Sequence, residues 1–162
     1  MESNIRKLEN SLVTIGTGVV ILSLWTLFKI ILYMIVYLGE IKDVLGTLPH
    51  TEAAFVIVLI AAAVVIELVL HCFVGLSAIG EGRGKRKRPV YLIVTGFIIV
   101  LYLAAILLEL SLLFFFKAIS LTFAVSMVID VTSTGLIIDM FVASVRLRKL
   151  KKQKAEKEGA AI

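Results

Sequence analysis

The chain has 162 residues, 60% of them hydrophobic, a mean hydropathy of +1.05 and a formal net charge of +5. A soluble domain of this size cannot cover that much apolar surface, so lipid must serve as its solvent. The single Cys72 excludes an intrachain disulfide, and the pI near 9.4 is explained by membrane topology rather than by nucleic acid once the charges are placed.

Residues 1–10 carry Arg6 and Lys7 among Glu2 and Glu9, with Ile5, Leu8 and Leu12 spaced as a short amphipathic lead-in. The first apolar run, roughly 12–38, is longer than the core of a signal peptide and lacks a small-residue cleavage site, so it is expected to stay as a helix. Neither end shows a myristoylation or prenylation pattern. A connection holding Lys42 with Glu40, Asp43 and Glu52 leads to a second run, roughly 53–80. The chain then changes character from Glu81 to Pro89, which contains Arg83, Lys85, Arg86, Lys87 and Arg88. Gly80, Gly82 and Gly84 suggest flexibility there, and the charge resists passage across a bilayer. A third run, roughly 90–116, turns tightly at Lys117 into a fourth, roughly 118–145. Arg146, Arg148, Lys149, Lys151, Lys152, Lys154 and Lys157 follow.

Each run exceeds the roughly 20 residues that a bilayer requires. The expected fold is therefore all-α, a four-helix transmembrane bundle over residues 1–150 with a charged tail over 151–162 that extends helix four before fraying. Fourteen Lys and Arg lie on the side of the termini and central loop, against two on the other side and Lys29 inside the membrane. That asymmetry places the N-terminus, the C-terminus and the 81–89 loop in the cytoplasm, with the protein an integral component of the plasma membrane. The partners expected are anionic headgroups of the cytoplasmic leaflet, each worth about 1 kcal/mol per nearby base, and a second copy in a homodimer or another membrane protein. Nucleic acid is not expected.

Every apolar run also contains an ionisable residue: Lys29 in the first, Glu67 and His71 in the second, Glu109 in the third, Asp130 and Asp139 in the fourth. Each costs about 2.5–3.5 kcal/mol at a lipid-facing central position, so they should face the bundle interior. Helical spacing agrees. Tyr91, Thr95, Tyr102, Ala105 and Glu109 share a face of the third helix, and Thr122, Ser126, Asp130 and Ser133 or Thr134 a face of the fourth. Gly18, Thr26, Lys29, Tyr33 and Tyr37 line up in the first, and Ala63, Glu67, His71 and Gly75 in the second. At 1.5 Å per residue, Lys29 and Glu109 fall roughly 10–14 Å below the outer helix ends, and Glu67 and Asp130 roughly 18–21 Å below. His71 and Asp139 form a second, deeper pair, with Arg146 another possible partner for Asp139.

One lysine offsets one carboxylate, and carboxylates left over in a low dielectric take up a proton or a cation. Glu67, Glu109 and Asp130 are thus the candidate proton or cation ligands, with Lys29 as counter-ion. The expected function is a proton- or cation-coupled transporter or channel-like protein. The alternative is a membrane assembly subunit whose charged core fixes helix register. Glu67 and His71, four residues apart, could supply two metal ligands, with a third from Asp130 or Asp139, but paired histidine or cysteine spacing is missing and no metal or cofactor is expected. Enzymatic activity is not expected either, because no nucleophile or phosphate-loop pattern appears. Gly16 and Gly18, beside Thr14 and Thr17, read as close-packing positions.

Overall fold

The computed structural model describes residues 2–36, 46, 50–85, 89–116 and 121–159. Those residues build four helices: α1 (Glu2–Val36), α2 (His50–Gly82), α3 (Val90–Phe116) and α4 (Leu121–Gly159). Each contains a stretch long and apolar enough to cross a membrane. The protein is an all-helical chain of four candidate spans.

Two helices extend well past their apolar runs. α1 begins at Glu2, and α4 continues unbroken to Gly159. Hydropathy marks where lipid stops, whereas a helix stops where its backbone hydrogen bonds do. Here the polar extensions support one another. Lys151 Nζ lies 2.7 Å from Glu9 Oε1, and Lys154 Nζ donates to Glu2 Oε1 at 2.8 Å. Ile5 and Leu147 are buried in the same region. Exposed pairs of this kind contribute only about 0–1 kcal/mol each, so the buried apolar side chains do most of the holding.

α2 also outlasts its expected end, taking in Glu81 and Gly82. It is closed by a Schellman arrangement, in which Lys85 N–H donates to Gly80 C=O at 2.9 Å and Gly84 N–H to Glu81 C=O at 3.0 Å. Gly84 sits at φ 78°, a conformation that a side chain disfavours. The glycine expected to supply looseness therefore supplies a defined stop. Arg86, Lys87 and Arg88 lie outside the described residues.

α1 packs most extensively on α2 and next on α4, and α4 packs on α3. The α2–α3 seam is thinner, and α1 and α3 make no contact among the described residues. The four helices thus form a ring with α1 and α3 on one diagonal. Its core comprises Leu12 and Val19 of α1, Val74 and Ala78 of α2, Ile98 of α3, and Ile137, Met140 and Leu147 of α4. This core lies toward the end that holds both described chain ends and the α2–α3 connection. Farther along α2, Phe55, Val58, Leu59, Val65 and Ile66 are all exposed.

In lipid an exposed apolar residue costs nothing, so association depends on close packing and on polar contacts. The α1–α2 pair shows the first. A Cβ built on Gly16 would lie 2.9 Å from the Gly75 carbonyl oxygen, one on Gly75 2.9 Å from the Gly16 oxygen, and one on Gly82 2.6 Å from the Glu9 oxygen. Glu9 with Gly16, and Gly75 with Gly82, are each seven residues apart, so two backbones touch twice along one seam. At Gly18 a Cβ would meet only Leu136 Cδ1, at an ordinary 3.7 Å. The buried face of α1 accordingly runs through Ile5, Leu12, Gly16, Val19 and Ser23. The face expected through Gly18 was drawn on polar residues, whereas this half of the helix packs through glycine and aliphatic residues.

Candidate functional site

The thin α2–α3 seam leaves a groove of about 610 Å³, open at the side of the bundle. Ala63 and Ala105 keep its walls short, and Ile66 and Leu101 make it apolar. Glu67 enters from α2, Tyr102 from α3 and Asp130 from α4. The Tyr102 hydroxyl donates to Glu67 Oε1 at 2.8 Å, and both residues are half-buried. Two carboxylates from different helices therefore face one apolar space, with a phenol holding one of them in place. A proton or a cation is the species that such a pair would share.

His71, one turn beyond Glu67, forms the wall between this groove and the bundle interior. Its ring meets Tyr102 edge-on, with centroids 5.5 Å apart. Nδ1 lies 2.8 Å from the Glu67 carbonyl oxygen. A carbonyl only accepts, so Nδ1 carries the proton, and in the neutral ring Nε2 presents a lone pair. That atom is buried and has no hydrogen-bond partner among the described residues. His71 lines a small inner cavity, about 10 Å³, with Ser23, Tyr102 and Ser133. Ser133 Oγ is likewise buried and without a partner among the described residues.

Ser133 is unusual in this respect. Thr14, Thr17, Thr95, Thr132, Thr134 and Ser144 all return their hydroxyls to the carbonyl four residues earlier, at 2.7–3.1 Å. Such back-bonding satisfies a hydroxyl within its own helix and lets it sit among apolar groups without any functional role. Two polar atoms left over, on two residues that line one cavity, mark the spot where the interior departs from that rule.

The expected site residues divide as follows. Glu67, His71 and Asp130 are brought together around the groove. Glu109 is half-buried two turns along α3 from Tyr102 and stands outside the groove's lining. The Lys29 side chain lies outside the described residues, as do those of Thr122 and Ser126. Asp139 is exposed whereas His71 is buried, so the structure does not join them as a pair. Asp139 lies nine residues from Asp130, about half a turn around α4, which turns it away from the interior. Among the described residues no three of His, Cys, Asp and Glu gather as metal ligands. Arg83 and Lys85 are exposed near the end of α2.

One charged cluster had no counterpart among the expectations. Glu81 is 7% exposed, and Arg148 of α4 grips it with Nε on Oε1 at 2.7 Å and a terminal nitrogen on Oε2 at 3.0 Å. Tyr91, 2% exposed, donates its hydroxyl to Glu81 Oε2, and the guanidinium sits 5.4 Å from the centre of its ring. Both faces of the carboxylate are satisfied, and the fork geometry is the one that Arg provides and Lys does not. Three helices are tied at one point. The signal was present in the spacing, because Glu81 continues the buried positions His71, Val74 and Ala78 by one more step of three. No known protein family, characterised protein or solved structure matches this chain.

Proposed function

We propose that this is an integral membrane protein that binds a proton or a cation inside the bilayer, at the groove between α2, α3 and α4, in a transporter-like or channel-like role. Glu67 and Asp130 are the exchanging carboxylates, Tyr102 positions Glu67, and His71 stands between the groove and the inner cavity. The observation that supports this most is the convergence of acids from two helices on one apolar groove at the side of the bundle. Both chain ends and the 81–89 connection face the cytoplasm of the plasma membrane, in keeping with fourteen bases on that side against two on the other.

Purified protein in neutral detergent, titrated with inorganic and organic cations in weakly buffered solution, should release protons. Glu67→Gln and Asp130→Asn should abolish the release, and Glu109→Gln, outside the groove, should keep it. Equal release from all three variants would remove the groove from the function. The second reading, an assembly subunit without transport, is favoured by the exposed flank of α2 from Phe55 to Ile66, where another subunit's helix could lie. It predicts no release and instead the loss of a cross-linkable partner when Ala63 or Ala105 is enlarged.

A further inference from the structure

At the opposite end of the molecule a second groove, about 520 Å³, lies between α1 and α4, lined by Lys7 and Asn4 on one side and by Arg146, Lys149 and Gln153 on the other. Leu8 and Leu150 form its floor and pack against the core. The charge here is sorted. On the same two helices, Lys151 and Lys154 are neutralised by Glu9 and Glu2, and Arg148 by Glu81. Those pairs take up Glu2, Glu9 and Glu81, and Asp139, exposed two turns before Arg146 on α4, makes no ion pair with it among the described residues. Lys7, Arg146 and Lys149 point into the groove, are exposed, and make no ion pair among the described residues. Three cations and two amides converge on one concave surface that no acid lines among the described residues, an arrangement that favours an anion.

What lies one turn deeper identifies the anion's source. Val142 and Val145 stand four residues before Arg146 and Lys149 on the same stripe of α4, and they are 37% and 43% exposed. Arg146 also marks the end of the apolar run. A cationic groove above exposed valines matches a molecule with an anionic head and apolar tails. We infer that this groove is a binding site for one anionic phospholipid, its phosphate held by Lys7, Arg146 and Lys149 and its acyl chains lying along Val142 and Val145. The inference is independent of whether the α2–α3 groove exchanges protons.

The test uses the full chain in neutral detergent, with phosphatidylglycerol and phosphatidylcholine of matched chains and with bound lipid counted by native mass spectrometry. At about fivefold per basic residue, Lys7→Gln/Arg146→Gln/Lys149→Gln should weaken phosphatidylglycerol binding by about a hundredfold and leave phosphatidylcholine unchanged. Arg83→Gln/Lys85→Gln/Lys157→Gln, which removes the same charge from exposed positions at the same end, should weaken it less than about threefold. All six positions are exposed, and an unchanged circular dichroism spectrum verifies the fold of each variant. Equal loss in both triple variants would overturn the site in favour of diffuse charge. Displacement of the lipid by an equal concentration of inorganic phosphate would overturn the assignment to lipid.

Discussion

The Glu81–Arg148 pair makes a prediction with a direction that depends on which partner is removed. Breaking a fully buried ion pair from one side costs about 3–5 kcal/mol, because the remaining charge is stranded. The two partners here are unequally buried: the Glu81 side chain is 9% exposed and that of Arg148 28%. In Glu81→Leu the freed guanidinium can turn toward headgroup water, and Tyr91 loses one acceptor, worth about 1 kcal/mol. The expected cost is about 2–3 kcal/mol. In Arg148→Met the carboxylate cannot reach water and keeps, among the described residues, Tyr91 alone, so the cost should rise to about 3–4 kcal/mol. Glu81→Leu/Arg148→Met replaces the pair with apolar groups and should cost about 2 kcal/mol or more below the sum of the singles. Unfolding free energies for the four proteins, from circular dichroism against the mole fraction of sodium dodecyl sulfate in mixed micelles, give the cycle directly. Additivity within about 0.5 kcal/mol would refute the coupling, and a larger cost for Glu81→Leu than for Arg148→Met would refute the burial argument.

The α1–α2 seam makes a paired prediction. Gly16→Ala places a methyl group 2.9 Å from a backbone oxygen and should destabilise by about 1–3 kcal/mol, whereas Gly18→Ala, with 3.7 Å to a movable Leu136 methyl, should change stability by no more than about 0.5–1 kcal/mol and in the stabilising direction. The same micelle titration measures both, and equal effects would contradict the close approach. Ser133→Ala removes a buried hydroxyl that has no partner among the described residues, so it should be neutral or stabilising by up to about 1 kcal/mol. A loss above about 1 kcal/mol would show that the hydroxyl is bonded to something in the inner cavity.

The number of helices and the apolar extent of each were legible in the sequence, because a bilayer enforces about 20 apolar residues per span. That Glu67 and Asp130 would share one polar neighbourhood was legible too, but they meet at a groove on the side of the bundle and not in its interior, and Asp139 is exposed. Other features were hidden for definite reasons. A stripe of polar and small residues looks the same whether its hydroxyls face a ligand or return to their own helix, as Thr95 and Thr134 do. Glu81 looked like the first residue of a charged loop, because Arg148, which makes its burial tolerable, lies 67 residues away. Gly82 looked flexible for the same reason, the Glu9 carbonyl that requires it being on another helix. Nothing in the local composition announces a partner at that separation.

These contacts also say where the bundle can change shape. The α1–α2 seam cannot slide without driving backbone into backbone at Gly16 and Gly75, and α2 is tied to α3 and α4 through Glu81. Beyond that tie, toward the groove, the α2–α3 seam thins and is crossed by the Tyr102–Glu67 hydrogen bond. A link of that kind contributes on the order of 1 kcal/mol, far less than the locked end. If the groove admits and releases a cation or proton, α3 therefore has to move against a fixed α1–α2 pair, pivoting near Tyr91. Tyr102 and His71 line both the groove and the inner cavity, so that motion would open or close the partition between them. Tyr102→Phe, which cuts the link and keeps the ring, should speed hydrogen exchange in α3 near residue 102 and leave α1 near Gly16 unchanged. Equal acceleration in both helices would mean that the bundle loosens as a whole and has no hinge at its tied end.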